Sequence, residues 1–262
     1  MKIIDIHTHI YPDDIAQKAT DSVRAFYNIG TDGMDGKEST LLRQGKEAGI
    51  SQFVILPVAI RPDRVQGIND FIVDRVAKND ALIGFGTVHA AMEGMEAEVQ
   101  RIFDLGLRGI KMHPDSQRFP IDDIRLFPMY EMVQGKLPVM LHMGDHRYDY
   151  SHPIKLRKIL DLFPRLQVIA AHFGGYSMYD TALELLKDPT CVMDISSSMM
   201  FMEPGKAEYY VNQYGAERLA FGSDYPMWDP VEEVRHFLSL NLTDEQKEQI
   251  AHKTAQRVLK LQ

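Results

Sequence analysis

Lys2-Ile3-Ile4-Asp5-Ile6-His7-Thr8-His9 is the stretch on which the fold turns. Ile3, Ile4 and Ile6 form a short β-branched run, the pattern of a strand covered on both faces. Side chains two apart along a strand point to the same face. His7 and His9 therefore leave the strand end together, while Thr8 points away. Two imidazoles on one side of a rigid strand end are half of a transition-metal site. A His-x-His pair also borders ordinary turns, so the rest of the chain has to decide.

Moving outward, residues 11–37 carry no strand pattern. A weak helical stretch over 15–27 is followed by Gly30, Gly33 and Gly36. A long, glycine-dense connection in a compact domain is usually functional, and it predicts a lid over the site, with Phe26 or Tyr27 facing a ligand. Beyond it the alternation becomes regular. Strands are predicted over 53–56, 82–86, 109–112, 138–142, 168–172, 191–195 and 219–222. Helices are predicted over 41–49, 65–78, 93–105, 123–134, 154–162, 181–187, 206–214 and 231–238. A last helix starts at Thr243, where Thr243-Asp244-Glu245-Gln246 has the form of a capping box. Eight strands, each followed by a helix, with no repeat or composition break, predict a single (β/α)8 TIM barrel over 1–262. A doubly wound open sheet is the alternative, but no glycine-rich phosphate loop follows the first strand.

Composition excludes several classes. The net charge of −8 lacks the basic footprint that nucleic acid requires. No apolar run approaches the roughly 18 residues of a membrane span, and no charged-then-apolar leader opens the sequence. The single cysteine, Cys191, lies in an apolar strand and reads as a small buried hydrophobe. One cysteine allows no internal disulfide, which fits a reducing, cytoplasmic setting. The expected partner is a small-molecule substrate, with no nucleic acid and no membrane; a homodimer is left open.

In such a barrel, catalytic groups sit at the C-terminal ends of the strands. The first strand ends in His7 and His9, the fifth at His142 and the sixth at His172, and the eighth runs into Ser223-Asp224. Four imidazoles and a carboxylate thus converge on one mouth from distant parts of the sequence, as a site requires. Other polar groups follow strand ends: Arg61, Lys111, His113, and Asp145-His146-Arg147. Guanidinium groups there suit a carboxylate substrate; equally, Arg61 and Arg147 could only bridge loops. Ser196-Ser197-Ser198 offers hydroxyl donors. His89, His152, His236 and His252 read as ordinary loop or helix residues.

The segments Asp5-Ile6-His7-Thr8-His9, Gly109-Ile110-Lys111-Met112-His113-Pro114, Val168-Ile169-Ala170-Ala171-His172-Phe173-Gly174-Gly175 and Phe221-Gly222-Ser223-Asp224-Tyr225-Pro226 carry a resemblance. In their order and spacing the chain resembles the amidohydrolase superfamily, in the amidohydrolase-related branch that includes aminocarboxymuconate-semialdehyde decarboxylase. The resemblance implies that His7, His9, His142 and Asp224 hold one divalent ion, usually zinc, with His172 beside it as a catalytic group. Three neutral imidazoles and a carboxylate suit zinc with a position open for water. Asp224 would carry a proton on its second oxygen, and His172 would stabilise an oxyanion or activate the water. Lys111 stands where binuclear relatives carry a bridging carbamylated lysine, although its Lys-x-His-Pro setting resembles the mononuclear branch. Thr254-Ala255-Gln256-Arg257 departs from the Asn-Ala-x-Arg pattern of relatives.

The leading expectation is a hydrolase that uses a zinc-activated water on a small ester, lactone or amide. The alternative is a metal-dependent non-oxidative decarboxylase of an unsaturated or hydroxylated aromatic acid. The compact length points to hydrolysis, because decarboxylase relatives tend to carry larger inserted loops. A barrel that has lost its chemistry is disfavoured, because all five site residues are present. A nuclease would be expected to add a glutamate near Thr87 or Lys111.

Overall fold

A computed structural model describes residues 1–30, 34–188 and 191–261. Eight parallel strands stand in chain order among these residues. They are β1 (Ile3–Thr8), β2 (Ile50–Ile55), β3 (Leu82–Gly84, resumed at Gly86–Thr87), β4 (Ile110–Met112), β5 (Val139–Leu141), β6 (Val168–Ala170), β7 (Val192–Asp194) and β8 (Leu219–Ala220). The expected third strand over 82–86 is interrupted at Phe85, where the ladder changes partner. Phe85 donates back to the Ile55 carbonyl at 3.1 Å, and Gly86 donates forward to the Gly109 carbonyl at 2.9 Å. The ring closes where Ile6 donates to Phe221 at 3.0 Å and Asp224 donates to His7 at 2.8 Å.

Helices α1 (Ala16–Tyr27) and α2 (Glu38–Ala48) follow β1, so the predicted lid carries a true helix. Gly33, read as one of its glycines, lies outside the described residues. The expected helix over 123–134 is a single 3-10 turn, Ile124–Leu126, leading into Phe127–Val133. Thr243 and Gln246 form the capping box, but the helix they start passes through a π turn, Gln249–Lys253, before Thr254–Leu259. No helix among the described residues is long and apolar enough to cross a membrane.

Period-two alternation splits the core into two layers. Ile110, Met112, Val139, Leu141, Val168, Ala170 and Met193 pack with the helices. Their strand neighbours Met140, Ile169 and Val192 join Ile4, Ile6, Val54 and Ala220 in a second cluster, closed by Ala255, Val258 and Leu259 of the last helix. Lys111, His142 and Asp194 share the phase of this inner layer. Strict alternation would place His7 outside, opposite Ile6. The β1–β2 register slips by one residue between Asp5 and Thr8, a bulge that re-aims His7 inward. Gly222 leaves the space for it: a Cβ there would stand 2.8 Å from the His7 Cβ.

Behind the bulge, fully buried Asp5 accepts backbone N–H bonds from His7 and Ser223, each at 3.0 Å, while its Oδ2 has no partner. Burial pushes this carboxyl up to about 7, against the hydrogen bonds that favour its charge. Between the unfolded value near 4 and this folded value, the unfolded chain ionises Asp5 while the folded chain keeps the proton. Its contribution to stability therefore falls as pH rises through that window, by an amount on the order of a few kcal/mol. Asp5→Asn should accordingly be more stable than the parent at pH 8, with the gap closing near pH 4. Urea midpoints across that range check this, and a gap independent of pH would refute it.

Candidate active site

His7 and His9 converge on one carboxylate oxygen. Their Nε2 atoms lie 3.3 and 3.4 Å from Asp224 Oδ1. Thr8 turns away and donates to the Val54 carbonyl at 2.7 Å. The far nitrogen of each ring is pinned. His9 Nδ1 lies 2.6 Å from the Leu56 carbonyl, and His7 Nδ1 lies 2.8 Å from Asp194 Oδ2. Neither acceptor can donate, so each Nδ1 carries the proton and each Nε2 turns a lone pair toward Asp224. Two such lone pairs and a carboxylate oxygen within 4.8 Å of one another form a donor set that fits a divalent cation.

The surrounding groups hold these charge states. Burial would raise the Asp224 carboxyl, but His7, His9 and His172 outweigh it and hold Asp224 well below the usual range. Asp194 is likewise held low, chiefly by His7 against burial. Burial, reinforced by Lys111, lowers His7 to about 4, so its ring is neutral near pH 7. Lys111 is fully buried, lowered to about 8 by that burial against the pull of Asp194 and Asp224, and its Nζ lies 3.2 Å from His7 Nε2. The second oxygen of Asp224 accepts from Ser197 Oγ, and Ser197 in turn accepts from Trp228 Nε1 at 2.7 Å. Asp224, Ser197 and His172 all adopt left-handed backbone, φ 59°, 48° and 61°. Such conformations persist at non-glycine residues where the surroundings impose them, commonly at functional sites.

His142 and His113 form the opposite wall, stacked with ring centroids 4.0 Å apart. His142 Nδ1 lies 3.0 Å from His172 Nε2, and its Nε2 lies 3.2 Å from the Tyr27 hydroxyl. Its nitrogens are thus grouped with His113 and Asp115 rather than with His7, His9 and Asp224. Burial holds both His113 and His142 well below the ordinary histidine value. The aromatic rim continues from Tyr27 to Tyr176, Phe201 and Trp228, with centroids 5.7, 6.2 and 5.7 Å apart.

Arg61 is not brought into this cluster: its exposed guanidinium forks onto Asp63 of its own loop, at 2.9 and 2.8 Å. Arg147 forks onto buried Asp145 at 2.9 and 2.6 Å and donates to the Phe26 carbonyl at 2.5 Å, so it closes on the end of α1. Sequence reasoning overlooked Asp194 and Asp115. For Asp194 the signal was available, a carboxylate inside the apolar run Cys191-Val192-Met193-Asp194-Ile195 in phase with Val192. Asp115, one turn beyond β4, carried no comparable pattern.

The sequence pattern of a family described as amidohydrolase matches residues 4–261. Among solved structures, an uncharacterised TIM-barrel protein from Bordetella bronchiseptica is similar with a TM-score of 0.83 and 22% identity, covering 100% of this chain and 99% of that one. The 5-carboxyvanillate decarboxylase of Sphingomonas paucimobilis is similar at 0.76 and 15%, with 100% and 99% covered. A dihydroxybenzoic acid decarboxylase from Polaromonas sp. JS666, with bound manganese and the inhibitor 2-nitroresorcinol, is similar at 0.75 and 15%, with 99% and 97% covered. No curated protein matches the chain.

Proposed function

We propose, from the premise that this chain belongs to the amidohydrolase family, that it is a metal-dependent, non-oxidative decarboxylase of a small hydroxylated aromatic acid. The observation that carries this reading is the convergence of His7 and His9 on Asp224, whose second oxygen is capped by Ser197 beside an aromatic rim. His7, His9 and Asp224 would hold the cation, with His142 as the fourth ligand expected from the sequence. The similar dihydroxybenzoic acid decarboxylase from Polaromonas contains bound manganese, and the sequence resemblance suggests zinc; the donor set accommodates either. When bound, the ion supplies positive charge that holds and orients the oxygen atoms of the substrate.

The chain's own residues then account for the proton. In the reaction the carbon–carbon bond to the carboxyl group breaks and its electron pair stays on the ring carbon. Carbon dioxide leaves, and a proton fills the ring carbon's valence. Asp224 is ionised at rest, so it can accept the acidic proton that the substrate brings. It can then return that proton to the ring from the oxygen that Ser197 caps. The tyrosine and tryptophan rings of the rim suit a flat substrate and exclude water around the carbanion-like centre.

Hydrolysis has less support. It rests on compact length, whereas the two similar structures above that have a named activity are decarboxylases. Metal-loaded protein given 2,6-dihydroxybenzoate, 5-carboxyvanillate, and a panel of lactones and esters should release carbon dioxide from one of the aromatic acids. A new acid formed from a lactone or ester, with no carbon dioxide from any aromatic acid, would return the protein to the hydrolases.

A further inference from the structure

We propose that Tyr27, carried into the site by the lid helix α1, is a substrate-contacting residue whose hydroxyl donates to an oxygen of the bound acid, and that Arg147 is the positioning residue that clasps α1 in place. The substrate part rests on the reading above; the clasp does not.

The direction of every hydrogen bond around Tyr27 can be worked out from two fixed ends. At one end the backbone carbonyl of Ser196 lies 3.0 Å from His172 Nδ1. A carbonyl only accepts, so Nδ1 carries the proton and His172 Nε2 is a lone pair. That lone pair must be met by a proton on His142 Nδ1, 3.0 Å away. His142 Nε2 is then a lone pair and accepts from the Tyr27 hydroxyl at 3.2 Å. The Tyr27 oxygen in turn accepts from His113 Nε2 at 2.6 Å. This leaves a lone pair on His113 Nδ1, which meets the backbone N–H of Ser116 at 3.3 Å. A backbone N–H only donates, so the second end independently demands the same polarity. The phenolic proton of Tyr27 is therefore aimed at His142 Nε2. An incoming carboxylate is a stronger acceptor than a neutral imidazole, and it can take over this donor without α1 moving far.

The clasp is equally specific. The Arg147 guanidinium lies over the rings of Phe26 and Tyr27, 4.8 and 5.1 Å from their centroids. One of its nitrogens donates to the Phe26 carbonyl in the last turn of α1, where a cation also opposes the negative end of the helix. Its other donors are anchored on buried Asp145. One side chain thus ties the end of α1 to the loop after β5.

Three measurements on the metal-loaded protein test this. Tyr27→Phe should leave metal content unchanged and weaken binding of the non-reacting acid analogue 2-nitroresorcinol about 5–10-fold, the worth of one hydrogen bond. Arg147→Met, which keeps an apolar stem, should weaken it similarly. It should also speed hydrogen exchange across residues 16–27 by about tenfold or more, whereas Tyr27→Phe should not. Unchanged or tighter binding by Tyr27→Phe overturns the contact, and unchanged exchange in Arg147→Met overturns the clasp. If the parent protein does not bind 2-nitroresorcinol, the substrate reading fails. The imidazole ¹⁵N spectrum then decides: Tyr27→Phe must move the His113 and His142 signals, and unmoved signals overturn the placement of Tyr27.

Discussion

Asp224→Asn should lower turnover by about 10²–10⁴-fold, the usual contribution of a positioned general acid–base group, while retaining much of the metal. The amide keeps an oxygen for the cation site facing His7 and His9 but cannot accept and return a proton. Ser197 remains held by the Trp228 indole, so the loss is chemical rather than a collapse of the loop. Elemental analysis alongside kcat makes the distinction. Activity that falls only in proportion to bound metal, with turnover per ion unchanged, would reduce Asp224 to a ligand and remove it from the proton transfer. His172→Asn supplies the comparison. It should keep the metal and lose kcat without a comparable change in KM, the mark of an interaction made in the transition state.

The second large effect is on metal itself. The parent protein is expected to hold about one divalent ion per chain, and His7→Ala should weaken its binding by more than about 100-fold, beyond the usual loss from a supporting residue. Asp194→Asn should cost about 10–100-fold, because Asp194 Oδ2 fixes the tautomer of His7 from 2.8 Å away. His142→Ala divides two arrangements. If it strips the metal, His142 is the fourth ligand, as the sequence resemblance implies. If metal is retained there but lost from His7→Ala, His7, His9 and Asp224 are the ligands and His142 belongs to the chain that ends on Tyr27. Undiminished metal in both variants overturns the site. The barrel should fold in every case, since its two apolar layers do not include these side chains.

The barrel was legible in the sequence because strands in a parallel sheet need continuous apolar runs and each must be followed by a helix. The positions of His7, His9, His142, His172 and Asp224 at strand ends were legible for the same reason: a strand fixes where its last residue stands. What the chain pattern could not carry was direction. The bulge between Asp5 and Thr8, which turns His7 inward, depends on pairing with a strand more than 40 residues away. Arg61 and Arg147 looked alike as cations after strand ends, yet Arg61 closes on Asp63 and Arg147 reaches the end of α1, because partner choice is set by distances through space. Asp194 and Tyr27 gained their places in the same way. One is a carboxylate whose strand phase puts it behind His7, and the other is a phenol whose helix packs across the mouth. Sequence periodicity determines which face a residue occupies within its own element. Which residue it meets across the barrel is decided only when closure brings the elements together.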